Sequence, residues 1–329
     1  MRMHRLTKIA GALVALAMAA FPATARAQGQ TYPENKPIVL VIPFAPGGGT
    51  DALARPFGKV LSERLGQPVV LENKGGGGGM IAAQYVAKAR PDGHTLLMTT
   101  STFLTAASGQ RALPYDVLKD FTPVSWLGRG PLLVIVNKDT GITTLQDLIA
   151  RGKAKPDSIN FASSGVGSVL HLAGELFIQR AGIKATHIPY QGAGPGLVDL
   201  LAGHVQLFLM TVPSIIGHVK SGGVTLLATT GTTRMAAFPN VPTVAEAAIP
   251  GFEAGTWWGI TGPAGLPPHV IETLDKAVKD SVRTEVMRKR FEDEGAEIVD
   301  ATPAQFGAML RDELAVWRGV VKDGNLKFE

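Results

Sequence analysis

Apolar positions along this 329-residue chain follow two alternating patterns. Short β-branched runs read as buried strands, and between them apolar residues recur three and four places apart, as on one helical face. Residues 37–42 predict a first strand. Residues 51–65 predict a helix, with Leu53, Phe57, Val60, Leu61 and Leu65 on one side and Gly66 as its end. Pro56 lies inside that helix, where it removes a backbone hydrogen bond and is expected to kink it. Strands at 68–71 and 94–99 and a helix from 80 to about 89 continue the rhythm. Two apolar runs, 121–127 and 132–136, flank Gly128, Arg129 and Gly130, and a crossing between domains is placed there. The pattern then restarts, with strands at 159–162, 186–189, 205–210 and 224–229 and helices at 144–151, 169–181, 197–202 and 214–220. Near Gly251 the chain is expected to return to the first domain. Residues 267–286 and 303–321 complete it as amphipathic helices with proline in the first turn. Such alternation predicts an α/β fold with parallel sheets in two similar open domains.

The amino terminus follows a different rule. Arg2, Arg5 and Lys8 precede an apolar stretch, 9–21, that is too short to span a membrane, and Ala25-Arg26-Ala27 fits a cleavage site. Residues 1–27 are read as a signal peptide cut after Ala27. No later run has the length of a membrane span, so an exported, soluble protein is expected. The chain has no cysteine, which excludes a lipoprotein anchor and disulfides. Export changes the charge as well. The 32 Lys+Arg lose four with the peptide, leaving 28 against 27 Asp+Glu, a net charge of +1. The basic character of the whole chain therefore gives no support for nucleic-acid binding.

Candidate chemistry gathers in four loops, each following a strand and leading toward a helix N-terminus: 44–51, 99–102, 163–168 and 190–196. Open α/β sheets bind ligands at the carboxyl ends of their strands. Helix N-termini offer free N–H groups to anions, and glycine lets a ligand approach the backbone. The residues expected to contact ligand are Phe44, Ala45, Gly48, Gly49, Thr50, Asp51 and Ser101 in the first domain. In the second they are Ser163, Ser164, Gly165, Ser168, Tyr190, Gly192, Ala193 and Gly194. No Walker lysine follows the glycine loops, and the third glycine of a dinucleotide fingerprint is missing at Leu197, so no nucleotide cofactor is expected. No Gly-x-Ser-x-Gly elbow occurs, so no catalytic residue is assigned. His171 and Glu175 have helical spacing but lack a third ligand, so no metal is expected. The remaining histidines read as scattered. Trp257 fits either a core aromatic or a cleft wall.

Several motifs together resemble the tripartite tricarboxylate transporter receptor family, also called TctC or Bug proteins. They are PFAPGGGTD (43–51), ENK (72–74), ARPDGHTL (89–96), SSGVGS (163–168) with HLAGE (171–175), PYQG (189–192), 239–246 and 257–267. The resemblance implies a two-lobed Venus-flytrap fold, with domain 1 at 28–130 plus 252–329 and domain 2 at 131–251. It implies a monomeric periplasmic receptor that captures a small carboxylate and passes it to large and small permease subunits. In this picture the 44–51 and 190–194 loops grip a ligand carboxylate and the 163–168 loop adds hydroxyl and amide contacts. A ligand sensor and a secreted hydrolase using Ser164 or Ser168 are the rival readings. One departure bears on selectivity: Met210 stands where related sequences usually carry an aspartate. The expected ligand is therefore a di- or tricarboxylate or an aromatic acid without an α-amino group, packed against Met210 and Trp257.

Overall fold

The computed structural model describes residues 32–44, 46, 49–109 and 113–328. The predicted signal peptide and the candidates Ala45 and Gly48 lie outside them. Strands β1 (Ile38–Ile42), β2 (Val69–Asn73) and β3 (Thr95–Thr100) run parallel in the order β2–β1–β3. They alternate with α1 (Gly49–Leu65), α2 (Met80–Ala87) and α3 (Ser101–Ser108). α1 stays a single helix through Pro56 and buries Leu53, Phe57, Val60 and Leu61. Gly58 lets it sit close to β2, because a β-carbon there would meet the Leu71 side chain at 2.8 Å.

The two apolar runs around Gly128 to Gly130 are one strand, β4 (Phe121–Asn137). The sequence suggests a break because glycine weakens a strand, but here it marks close backbone approach. A β-carbon on Gly128 would run into Phe291, and one on Gly130 would press on Ala296. Beyond β4 come α4 (Leu145–Ala154), β5 (Asn160–Ser163), α5 (Val169–Ala181), β6 (Thr186–Pro189) and α6 (Ala193–Leu201). Then follow β7 (Leu207–Thr211), α7 (Val212–Lys220), β8 (Val224–Thr229), the short α8 (Val244–Ala247) and β9 (Gly255–Pro263). The expected single helix at 267–286 is two, α9 (Pro268–Val282) and α10 (Glu285–Asp293). Thr284 separates them, its backbone extended at φ −67°, ψ 154° just before α10. β10 (Glu297–Ile298) and α11 (Pro303–Asp323) close the chain, α11 starting from a Thr302/Gln305 capping box.

Register along β4 fixes where the strand ends lie. Its first part pairs with β9 and β10, and its second part with β7 and β8. β3 ends with Thr100 opposite Trp258 of β9, and Trp258 lies opposite Gly128 of β4. β7 arrives from the other side, with Thr211 opposite Leu132. The parallel group β1–β3 and the parallel group β5–β7 thus run toward each other, and their carboxyl ends meet beside residues 128–132.

Candidate functional site

The first loop is closed by a side-chain clasp. Asn73 Nδ2 donates to the Phe44 carbonyl at 3.0 Å and to Asp51 Oδ1 at 2.9 Å, so the end of β2 holds the exit of β1. Arg55 grips the same carboxylate through Nε at 2.8 Å and Nη2 at 3.1 Å. Asp51 is 1% exposed, so its carboxylate braces the loop from inside. Phe44 and Thr50 are half-buried and Gly49 is exposed at the start of α1. Beside them a narrow crevice is lined by Pro43, Phe44, Gly79, Thr99, Thr102 and Tyr115. Its free volume of about 10 Å³ is room for roughly one water, far below the ~300 Å³ at which small-molecule pockets begin. The Thr99 hydroxyl is buried there with no hydrogen-bond partner among the described residues.

Ser101 is fully buried, and its hydroxyl accepts the Trp257 N–H at 2.9 Å, tying β9 to the start of α3. Trp257 is 3% exposed and meets Phe306 of α11 edge to face at 5.8 Å. The arrangement is that of a packed core aromatic. Met210, 1% exposed, lies inside β7 opposite Leu133.

In the second group of strand ends, Ser168 caps α5 by accepting the His171 N–H at 3.2 Å, and its hydroxyl holds the Gly165 carbonyl at 2.7 Å. Ser163 is buried, with Oγ 2.6 Å from His187 Nε2. The Ser164 side chain is half-buried and makes no hydrogen bond to the described residues, while its carbonyl accepts the Gly192 N–H at 3.3 Å. That bond joins the 163–168 and 190–194 loops. Gly192 caps α6 at φ 107°, ψ 167°, a region reserved for glycine. Ala193 and Gly194 begin α6, so the helix starts earlier than the expected residue 197 and takes Pro195 into its first turn. Tyr190 OH donates to Asp199 Oδ2 at 2.6 Å, and burial together with Asp199 pushes the phenol up to about 12. His204 lies on the other side of the Asp199 carboxylate, at 3.4 Å.

Two residues that matter to this geometry carry weak sequence signals. Asn73 stands out only as part of a motif, although an amide at a strand end before a glycine run is suited to clasp a loop. His187 and His171 read as unrelated positions. The fold stacks their rings 3.9 Å apart, with Phe161 packed 4.9 Å from His187 and 6.4 Å from His171. Among the described residues no His, Cys, Asp and Glu group converges as a metal site, and no helix is long and apolar enough to cross a membrane.

Beneath Trp257, Glu313 of α11 accepts the Trp317 indole N–H at 2.8 Å. Burial pushes its carboxyl up to about 7 from 4.5, against the opposing pull of that hydrogen bond. A carboxyl with a raised folded pKa contributes full stability below 4.5 and loses it as pH climbs through 7. Glu313→Gln keeps an acceptor for the indole and removes the titration. At pH 8 the variant should be about 3 kcal/mol more stable than the parent, and the difference should fall below about 0.5 kcal/mol at pH 4.5. Urea unfolding at the two pH values measures this.

A model of the tripartite tricarboxylate transporter family receptor matches residues 53–326. Protein BugT of Bordetella pertussis is 38% identical over 331 residues, with 100% of both chains covered. Among solved structures, R. palustris Rpa4515 with adipate has a TM-score of 0.81 at 33% identity, over 90% of this chain and 99% of that one. MatC (Rpa3494) from Rhodopseudomonas palustris with bound malate has a TM-score of 0.77 at 32% identity, over 86% and 98%. The fold is thus the two-lobed α/β fold of these binding proteins, with helices around a sheet whose two halves share β4. With a family match across most of the chain and a relative similar over its full length, the chain belongs to the tripartite tricarboxylate transporter receptor family.

Proposed function

We propose that this protein is a periplasmic receptor, not an enzyme, that closes on a small organic carboxylate and delivers it to membrane permease subunits. The observation that carries the reading is the meeting of two opposed sets of strand ends beside residues 128–132; in this reading the helix N-termini and glycine backbone that follow them face a common space. That arrangement suits an anion bound by N–H groups and hydroxyls. The division of β4 pairing near residue 130, and the start of β9 opposite Pro131, support lobes of 28–130 plus 252–329 and of 131–251.

In this reading Phe44, Gly49 and Thr50 meet the ligand from one lobe, and Ser164, Gly165, Tyr190, Gly192, Ala193 and Gly194 from the other. Ser101, Ser163, Ser168 and Asp51 hold those groups from behind. The ligand lacks an α-amino group. Met210 brings no charge, and Asp199 is already shared by Tyr190 and His204. An unpaired ammonium in such a site would cost several kcal/mol. The adipate and malate in the two relatives are likewise carboxylates without an amino group.

A thermal-shift panel tests this. Adipate, malate and benzoate, each at 1 mM, are compared with glutamate and aspartate. A ligand at 100 times its Kd stabilises the fold by about 2.7 kcal/mol, a shift of several degrees for a chain of this size. At least one acid without an amino group should produce it. A shift from the amino acids alone would overturn the selectivity, and steady turnover of an ester panel would overturn the receptor assignment.

A further inference from the structure

Four rings pack together under the 163–168 loop. Phe161 lies 4.9 Å from His187 and 6.4 Å from His171, the two imidazoles lie 3.9 Å apart at 15°, and His171 lies 6.0 Å from Phe328. The cluster is more than packing, because both imidazoles reach the loop above. His171 Nδ1 accepts the Gly167 N–H at 3.2 Å. A nitrogen that accepts carries no proton, so the His171 proton sits on Nε2, which faces Glu175 Oε1 at 3.6 Å. His187 Nε2 engages Ser163 Oγ at 2.6 Å, and the same oxygen accepts the Gly165 N–H at 3.1 Å.

These bonds sort the amides of the loop. Gly165 and Gly167 turn theirs inward, the first to Ser163 Oγ and the second to His171. Ser168 spends its N–H and its hydroxyl on the Gly165 carbonyl. The Ser164 hydroxyl and the N–H groups of Ser164 and Val166 keep no acceptor among the described residues. Ser164 is half-buried and Val166 exposed, so these donors lie on the outer side of the loop.

We propose that His171 and His187 are positioning residues of the ligand site: their ring nitrogens draw Gly167 and Ser163 inward and so present Ser164 and Val166 as the donors for the bound carboxylate. The proposal rests on the reading that this loop faces the ligand. It assigns a binding role to a histidine pair that touches no ligand. Burial and the neighbouring His171 hold His187 well below its usual range, at about 3, so it works as a neutral ring throughout the pH range of the periplasm.

The test separates ring packing from nitrogen chemistry. His171→Phe keeps a ring in the cluster and loses the acceptor, whereas His171→Asn loses the ring and places an amide oxygen near the former Nδ1. On the other side Ser163→Ala removes the partner of His187 with little change in volume, and His187→Gln retains a polar group at the former Nε2. Each variant is made in the full mature chain. Amide hydrogen exchange at Gly165 and Gly167 is followed without ligand, and affinity is measured by calorimetry for the panel acid that the parent binds best. His171→Phe should speed exchange at Gly167 about tenfold and weaken binding about tenfold, the effect of one lost hydrogen bond. His171→Asn should bring both back to within about threefold of the parent. Ser163→Ala should act like His171→Phe at Gly165, and His187→Gln should stay near the parent.

Equal behaviour of His171→Phe and His171→Asn would reduce the ring cluster to packing and overturn the proposal. So would faster exchange with unchanged affinity, which would take the loop out of the site. If the parent binds none of the panel, the carboxylate reading fails, and the exchange comparison alone decides whether the nitrogens position the loop. Should His171→Phe not fold, the Ser163→Ala and His187→Gln pair decides the same question at Gly165.

Discussion

Gly192→Val should weaken carboxylate binding by about 30-fold, close to 2 kcal/mol, while the fold persists. Gly192 holds φ at 107°, which a β-branched residue does not adopt without strain, and its N–H secures the 190–194 loop to Ser164. A valine would move the start of α6 and break the bond between the two loops. The core should be spared, since no atom lies within 4 Å of a β-carbon at this position. Gly217→Ala, in α7, is the matched control. That position is also open, its φ is not in the left-handed region, and its affinity should stay within about threefold. Calorimetry on both variants decides it, and an unchanged Kd for Gly192→Val in a folded protein would exclude this loop from the site.

Phe306→Ala should cost about 3–5 kcal/mol of stability, the usual result of emptying a large buried aromatic site. The ring is fully buried and lies between Trp126, 6.1 Å away and stacked, and Trp257, 5.8 Å away and edge on. Gly259 lies against the same ring, and a β-carbon there would collide with it. No neighbour can fill the space readily, because both tryptophans are fixed on paired strands, β4 and β9. Urea unfolding followed by tryptophan fluorescence measures the loss. A cost under about 1 kcal/mol would mean that α11 contributes little to the joined sheet.

Elements whose cause is local are legible in the sequence. Residues 169–181 read as a helix and form one, because Ser168 caps its start and Gly182 ends it in the left-handed conformation. β4 reads as two runs because the need for Gly128 and Gly130 comes from Phe291 and Ala296, far along the chain. The hydroxyl-rich loops are also visible in the sequence, but not the direction in which each hydroxyl points. Ser101 and Ser163 turn inward toward partners more than twenty residues away, the Trp257 amide and the His187 ring. Among the described residues Ser164 has no such partner. Periodicity shows which residues end a strand, whereas only the fold shows which donors are already taken. Met210 follows the same logic: its chemistry suits a cleft wall, and the fold adds that it is buried in β7 opposite Leu133.

A continuous β4 also constrains the mechanics of the molecule. Where two halves are joined by slack loops, one swings against the other almost freely. Here a seventeen-residue strand passes through both halves, held by hydrogen-bonded neighbours on either side of residue 130. Relative movement must twist that strand, so it meets an elastic resistance spread over several residues rather than a pivot at one. Phe291 and Ala296 pack against the backbone of Gly128 and Gly130, so any twist there must carry those neighbours with it.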